Sequence, residues 1–168
     1  MQLLLIRHAI AQDREDFAGS GRPDSERPLT AFGKRRMRRN AAGLAVVAPA
    51  VEQLVSSPYV RARATAAIIA KALGVATTVT HESLVHDAHP REFMAWLAKC
   101  GGDAVVAAVG HEPQLSLLVG WALSREATST VEFKKGGACV IAFDGKAAAG
   151  AGRLQWLFMP AQLRALAQ

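Results

Sequence analysis

Apolar and polar positions along the chain form two kinds of pattern, short apolar runs and longer segments of helical period. Residues 3–6 and 104–109 are apolar at every position. Runs of this length between polar residues are typical of strands that are covered on both faces. Met37, Ala41 and Leu44 instead recur at helical spacing, with cationic residues between them. The alternation of the two patterns predicts an α/β fold.

The pattern places an element in nearly every part of the chain. We predict strands over residues 2–6, 53–56, 75–80, 104–109, 138–144 and 154–158, and helices over 30–47, 57–74, 90–99, 113–123 and after 160. In the second helix, Ser57 is the predicted N-cap and Pro58 the first helical residue. Ala64, Ile68 and Ala72 mark its predicted buried face, with Ile69 beside them. Residues 10–28 form a polar loop.

Together these elements predict a three-layer α/β/α sandwich with a mostly parallel central sheet and an antiparallel end. The 168 residues suit a single domain, 1–168, that is large enough to bury its own core. The connector over residues 145–152 is rich in alanine and glycine and carries no functional signal.

Chemically active side chains follow several of the predicted strands. Arg7 and His8 end the first strand, and His111 follows the strand over residues 104–109. Arg61 lies in the helix after the strand over residues 53–56. Open α/β sheets bind ligands at the carboxyl ends of their strands, so these groups are expected to converge at one edge. Two guanidinium forks match phosphate oxygens, and a neutral imidazole can attack phosphorus.

Four ordered motifs carry a resemblance to a known family. They read RHA at residues 7–9, RPLTxxG at 27–33, SSPxxRAxxTA at 56–66 and GHEP at 110–113. This set resembles the histidine phosphatase (phosphoglycerate-mutase-like) superfamily and is most similar, in length and motif spacing, to its short SixA-type phosphohistidine phosphatases. The resemblance runs from residue 1 to about 160.

The resemblance implies a phosphoglycerate-mutase-like fold, no cofactor, and a covalent phosphohistidine intermediate on His8. It makes Arg7, Arg61 and His111 the phosphate pocket, and Arg27 a further substrate contact. The second ring nitrogen of His8 needs a partner, for which a backbone carbonyl is the expected group.

The general acid departs from the pattern of the larger family. Phosphomonoesterases of the superfamily usually supply a Glu or Asp from the segment after the third strand, where this chain has His86 followed by Asp87. A phosphorylated imidazole needs no such acid when its other nitrogen already carries a proton, whereas an alkoxide leaving group does. This difference favours a phosphohistidine phosphatase acting on a phosphotransfer domain or phosphocarrier in signal transduction. A small-molecule phosphomonoesterase using His86 or Asp87 is the alternative.

The composition of the chain limits the classes of binding partner that we expect for it. Twenty basic and fourteen acidic residues give a net charge of +6, which favours anionic partners. The cations of residues 34–39 are expected to form the solvated face of a helix rather than a nucleic-acid site, because no aromatic residues interleave with them. No apolar run is long enough to span a membrane. Cys100 and Cys139 have no metal-type spacing and are expected to be reduced thiols in a cytoplasmic protein without a metal. A monomer is favoured, although the sequence does not fix the oligomeric state.

Overall fold

The computed structural model describes residues 1–76, 78–129 and 131–167. Six strands, Gln2–Arg7 (β1), Gln53–Ser56 (β2), Thr78–Thr80 (β3), Val105–Gly110 (β4), Ala138–Ala142 (β5) and Arg153–Phe158 (β6), form one sheet in the order β3-β2-β4-β1-β5-β6. The pairs β1–β4, β2–β4 and β2–β3 are parallel, whereas β5 runs antiparallel to both β1 and β6. The predicted parallel sheet with an antiparallel end is therefore confirmed.

Six helices complete the fold: Arg14–Ala18 (α1), Ala31–Val47 (α2), Val60–Leu73 (α3), Pro90–Leu97 (α4), Gln114–Ser124 (α5) and Pro160–Leu166 (α6). None of them is long and apolar enough to cross a bilayer. Successive residues of β1 point to opposite faces of the sheet. Leu3 and Leu5 pack into a core that contains residues of α4 and α5, and Leu4 and Ile6 into a core with residues of α2, α3 and α6. This arrangement is the predicted three-layer sandwich.

The polar segment over residues 10–28 is more ordered than the sequence predicts. It contains α1 and a 3₁₀ helix, Asp24–Glu26. The Asp13 carboxylate accepts hydrogen bonds from the backbone N–H of Glu15 and Asp16, so it caps α1. The prediction of a loop was wrong here because the five residues of α1 are too few to show a helical period.

The start of α2 is as predicted and anchors this segment. Thr30 caps the helix by accepting a hydrogen bond from the Gly33 N–H, and its own N–H donates to the Ile10 carbonyl. A Cβ on Gly33 would lie 2.0 Å from that carbonyl oxygen. Glycine is therefore required at the last position of the RPLTxxG motif, where the helix lies against the chain that leaves β1.

Two predictions about α3 were wrong. The helix begins at Val60 with Tyr59 as its N-cap, not at Ser57 and Pro58. Ser57 instead continues the path of β2, since its N–H donates to the Val109 carbonyl. The buried face of α3 is also shifted: of the predicted Ala64, Ile68, Ala72 and Ile69, Ile69 alone is buried. The buried residues are Arg61, Ala62, Thr65, Ala66 and Ile69. The apolar pattern misplaced that face because two of its inward residues are polar.

Most of the remaining elements agree with the sequence. Gly74 ends α3 in the left-handed conformation with φ 71°, and β3 is an edge strand. The predicted strand over 75–80 also included residue 77, which lies outside the described residues. Leu115, Leu118, Val119 and Ala122 are buried residues of α5, which lies where the sequence predicts a helix over residues 113–123.

Candidate active site

The carboxyl ends of β1 and β4 and the first turn of α3 surround an open cavity of about 610 Å³, here called the His8 cavity. Its wall includes six of the residues predicted as site residues: Arg7, His8, Arg27, Arg61, His86 and His111. β1 and β4 are neighbours, with Arg7 paired to Gly110, so the motifs at residues 7–9 and 110–113 are side by side at the sheet edge. The predicted convergence at one edge is therefore what the parallel strand pairing produces.

His8 is held in one tautomer. Its ring lies in a buried position, and Nδ1 is 2.7 Å from the carbonyl oxygen of Ala9. A carbonyl can only accept, so Nδ1 carries the hydrogen and Nε2 keeps an unshared electron pair. The backbone carbonyl expected as the partner of the second nitrogen is thus Ala9. Nε2 is the atom that can act as a nucleophile.

The chain that carries this carbonyl is itself fixed by α3. The Ala9 N–H donates to Thr65 Oγ1 at 3.0 Å, and that hydroxyl donates to the Arg61 carbonyl at 2.8 Å. Thr65 is part of the SSPxxRAxxTA motif, but the sequence did not reveal this contact. It fixes the backbone of Ala9, whose carbonyl orients the His8 ring.

Both guanidinium groups have a buried Nε that is not used within the protein. Arg7 Nη1 donates to the Phe133 carbonyl, while Arg61 Nη1 and Nη2 donate to the Asp24 carbonyl and carboxylate at 2.7 and 2.9 Å. The Nε atoms of Arg7 and Arg61 have no hydrogen-bond partner among the described residues. An unpaired buried donor is costly, so each of these positions suits an anionic oxygen.

His111 offers a third free donor. Its Nε2 lies 2.8 Å from Ser57 Oγ, and its Nδ1 is buried without a partner. Ser57 is fully buried and also accepts from the Tyr59 N–H at 3.3 Å. We infer that the Ser57 hydroxyl donates to His111 Nε2, which places the proton of the His111 ring on Nδ1.

Burial keeps both imidazoles neutral. Desolvation lowers the pKa of His8 to about 3, with the cations of Arg61 and Arg7 adding to the effect. Desolvation also lowers the pKa of His111 to about 2, together with His8 and Arg61. The two rings lie 4.9 Å apart between centroids. One neutral ring can supply an electron pair and the other a hydrogen-bond donor.

Arg27 is tied to the cavity through Asp24. Its Nε donates to Asp24 Oδ1 at 2.7 Å, and its Nη1 donates to the Gln12 carbonyl at 2.7 Å. Asp24 therefore bridges Arg27 and Arg61 with its two carboxylate oxygens. These ion pairs lower the pKa of Asp24 against the opposing effect of its desolvation. The polar segment predicted as a loop thus supplies the carboxylate that joins two cations of the site.

The family can now be assigned from the sequence and this geometry together. The model of the histidine phosphatase superfamily (branch 1) matches residues 3–89. The chain belongs to the histidine phosphatase superfamily. An uncharacterized protein of Picosynechococcus sp. is 38% identical over 122 residues, which cover 68% of each chain.

Solved structures of SixA proteins have the same fold. The protein histidine phosphatase SixA complexed with tungstate superposes with a TM-score of 0.82 at 24% identity, over 97% of this chain and 99% of the other. A protein of Nakamurella multipartitia assigned as a phosphohistidine phosphatase SixA gives a TM-score of 0.69 at 28% identity, over 95% of each chain. The match along nearly the whole length agrees with the phosphoglycerate-mutase-like fold expected from the motifs.

The two candidate general acids, His86 and Asp87, differ in their position relative to the His8 cavity. His86 lines the His8 cavity, its ring is 6.0 Å from that of Tyr59, and its Nδ1 is buried without a hydrogen-bond partner. Asp87 has 75% of its side chain exposed, 3.9 Å from His86 Nδ1. Of the pair, His86 is the one that borders the space where a leaving group would lie.

Two further titratable groups in the cavity were missed as site residues. Glu112 contacts Ser116 rather than His111, and burial raises the pKa of its carboxyl although Arg7 opposes this. The pKa of Lys135 is lowered by desolvation and by the nearby Arg7 and Arg27. Lys135 precedes β5, whose pairing with β1 brings it to the site; no motif in the sequence indicated this.

No group of three or more metal-type side chains was found within residues 1–76, 78–129 and 131–167. The loop histidines His81 and His89 bond instead to nearby residues of the chain. His81 Nδ1 lies 2.7 Å from Ser83 Oγ, and His89 Nδ1 accepts from the Arg91 N–H. The positive charge of the His8 cavity is supplied by its guanidinium and ammonium groups.

Proposed function

We propose that the chain is a phosphohistidine phosphatase that acts on a phosphorylated protein, with His8 as nucleophile. The observation that carries the proposal is the arrangement around His8 Nε2. This free electron pair shares the His8 cavity with Arg7 Nε, Arg61 Nε and His111 Nδ1, three buried atoms without a hydrogen-bond partner in the described part of the chain. A phosphoryl group needs such a set, namely a nucleophile and donors for its equatorial oxygens.

The proposed reaction has two displacements at phosphorus. His8 Nε2 attacks, the new N–P bond forms, and the P–N bond to the substrate imidazole breaks. When the other nitrogen of that imidazole is protonated, it leaves as neutral histidine. Throughout both steps, the hydrogen stays on His8 Nδ1 and remains hydrogen-bonded to the Ala9 carbonyl. Water then attacks phosphorus, the His8 N–P bond breaks, and phosphate and a proton are released.

The same reaction accounts for the lack of an assigned carboxylic acid. The leaving imidazole resembles the attacking one, so the first displacement is nearly balanced and needs no strong acid. Arg7, Arg61 and Lys135 would neutralise the phosphoryl charge, so the proposal requires no metal ion. A phosphotransfer domain or phosphocarrier is the expected protein substrate, and the similarity to SixA structures supports this substrate class.

A small-molecule phosphomonoesterase is the second candidate. It is favoured by one observation, the buried Nδ1 of His86 at the wall of the cavity. A protonated His86 could donate to an alkoxide leaving group. Asp87 would then act through His86, since its own carboxylate is mostly exposed.

A paired turnover assay without added metal tests these proposals. One substrate is a histidine-phosphorylated phosphotransfer protein, and the other is a panel of sugar and aryl phosphates. We expect strong preference for the phosphoprotein; efficient turnover of alkyl phosphates with no action on the phosphoprotein would refute the first proposal. His8→Ala should abolish turnover of every substrate. His89→Ala, which changes a histidine of the loop outside the His8 cavity, is the matched control.

A further inference from the structure

A second cavity, here called the Arg36 cavity, adjoins the first. It has a volume of about 640 Å³ and lies between the first half of α2, the N-terminal part of α6 and the chain before β5. Both cavities have Arg7, Ile10 and Lys135 in their walls. A ligand that places a phosphoryl group on His8 can therefore extend past these residues into the Arg36 cavity.

The Arg36 cavity is strongly cationic. Arg7, Arg36, Lys134, Lys135 and Arg164 all line it, and Glu132 is its sole carboxylate. Lys134 is the partner of that carboxylate, at 2.5 Å. Arg36 and Lys135 make no ion pair with any of the described residues. Two cations thus line the same cavity without an ion pair of their own, which favours an anionic ligand.

Arg164 is fixed in place rather than free in solvent. Its Nη1 donates to Asn40 Oδ1 at 2.9 Å, and Asn40 Nδ2 donates to the Gly136 carbonyl at 3.1 Å. Asn40 is buried, with 2% exposure. Arg36 and Arg39 lower the pKa of Arg164, in addition to its desolvation. A polar network inside the protein therefore holds this cation at the cavity wall, where its positive neighbours oppose it.

The rest of the wall is apolar. Ile10, Met37, Met159 and Pro160 contribute to it. A ligand that matches both parts has an anionic end and an aliphatic stem, as Asp and Glu side chains do. The carboxylate would meet the guanidinium groups while the methylene groups pack on the apolar wall.

We propose that the Arg36 cavity binds acidic side chains of the phosphoprotein substrate, next to its phosphohistidine. This inference rests on the proposed function and extends it to how the protein substrate is chosen. A small phosphate ester fills only the His8 cavity, whereas an acidic protein surface reaches both. The enzyme would then distinguish a phosphoprotein from a small phosphate ester through contacts far from the reacting phosphorus.

The test compares two charge reversals on α2, Arg36→Glu and Arg38→Glu. Arg36 lines the Arg36 cavity, and Arg38 is an exposed residue of the same helix outside it. Each change alters the net charge equally, so general attraction of an acidic partner falls equally. For the wild type and both variants, kcat/KM is measured on a histidine-phosphorylated phosphotransfer protein and on phosphoramidate.

The ratio of kcat/KM on the phosphoprotein to kcat/KM on phosphoramidate should fall about tenfold in Arg36→Glu. In Arg38→Glu it should stay within about twofold of the wild-type ratio. A second arm reverses acidic residues around the phosphorylated histidine of the substrate protein to Lys, one at a time. One of these should restore turnover by Arg36→Glu. Equal losses in both variants, or no loss in Arg36→Glu, would overturn the proposal. A wild type that hydrolyses phosphoramidate but not the phosphoprotein would instead refute the proposed function, and this inference with it.

Discussion

The hydroxyl of Ser57 lies 2.8 Å from Nε2 of His111 and joins the end of β2 to the end of β4. The same oxygen accepts from the Tyr59 N–H. We infer that its own hydrogen is donated to His111 Nε2, so that Ser57 sets which nitrogen of His111 carries the proton. Without this contact, an unshared electron pair on Nδ1 could face the phosphoryl oxygens and repel them.

Ser57→Ala is therefore expected to lower kcat at least tenfold while the protein stays folded. Loss of the hydroxyl frees His111 to adopt either tautomer, and only one of them donates to the phosphoryl group. Ser83→Ala is the matched control, since Ser83 forms a similar pair with His81 outside the His8 cavity. Steady-state kinetics on one substrate, with circular dichroism to check folding, decides the outcome. Equal activity of both variants would show that Ser57 does not control His111.

Asp24 is expected to position Arg61 for phosphate binding. Asp24→Ala removes the carboxylate that bridges Arg27 and Arg61, so the Arg61 fork loses its side-chain support. Inhibition by inorganic phosphate should weaken about tenfold, and kcat/KM should fall similarly. The loss of charged hydrogen bonds should also lower the free energy of unfolding by about 2 kcal/mol.

Glu26→Ala is the control for this variant. Glu26 lies in the same 3₁₀ helix but pairs with Arg22 at the surface. It should leave phosphate inhibition unchanged, and all assays are run well below the unfolding temperature of the weaker variant. Tighter phosphate inhibition in Asp24→Ala would contradict the positioning role, because it would mean that the carboxylate mainly repels phosphate.

The sequence predicted the sheet and the main site residues better than the contacts between them. Apolar runs such as β1 and β4 are buried on both faces, so their pattern indicates strand and position at once. Strand ends then bring His8 and His111 together without any knowledge of side-chain contacts.

The contacts that the sequence did not predict join residues that are distant in the chain. Asp24 meets Arg61 across 37 residues, and Ser57 meets His111 across 54. Ser57 also shows why a local signal misled: Ser followed by Pro is typical of a helix start, but here tertiary pairing with β4 uses the backbone of Ser57. Lys135 reaches the site only through the antiparallel strand that follows it.

The lowered pKa values of His8 and His111 predict how the protein responds to acid. Both rings should stay neutral from pH 8 to pH 5 in the ligand-free protein, with the hydrogen of His8 on Nδ1. Long-range ¹⁵N–¹H correlation spectra of the imidazoles distinguish these tautomers from the imidazolium form. Conversion of either ring to imidazolium near the ordinary pKa of about 6.5 would contradict the prediction.

The pH dependence of the free energy of unfolding should reflect the same two residues, His8 and His111. The unfolded chain takes up protons on these histidines below about pH 6.5, whereas the folded one does not until pH falls to about 3 and about 2. Their contribution to stability is therefore full above pH 6.5 and falls as the pH is lowered, by about 1.4 kcal/mol per pH unit for each ring. Urea unfolding at pH 7.5 and pH 5 measures this slope. His8→Asn should reduce it by removing one of the two groups.

His86 provides a final prediction, about the leaving group. If it donates a proton, His86→Ala should slow hydrolysis in proportion to the basicity of the group that leaves. Phosphohistidine and aryl phosphates with acidic phenols should lose little rate, whereas alkyl phosphates should lose about a hundredfold.

The measurement is a plot of log kcat/KM against the pKa of the leaving group, for the wild type and the variant. A steeper slope in His86→Ala identifies a proton donor, because the basic leaving groups then depart without help. His81→Ala is the control, since that ring packs against Phe93 and Trp96 outside the His8 cavity. A uniform loss across all substrates would mean that His86 only shapes the cavity. The same slope in both proteins would exclude it as the acid and direct attention to Glu112, whose buried carboxyl has a raised pKa in the same cavity.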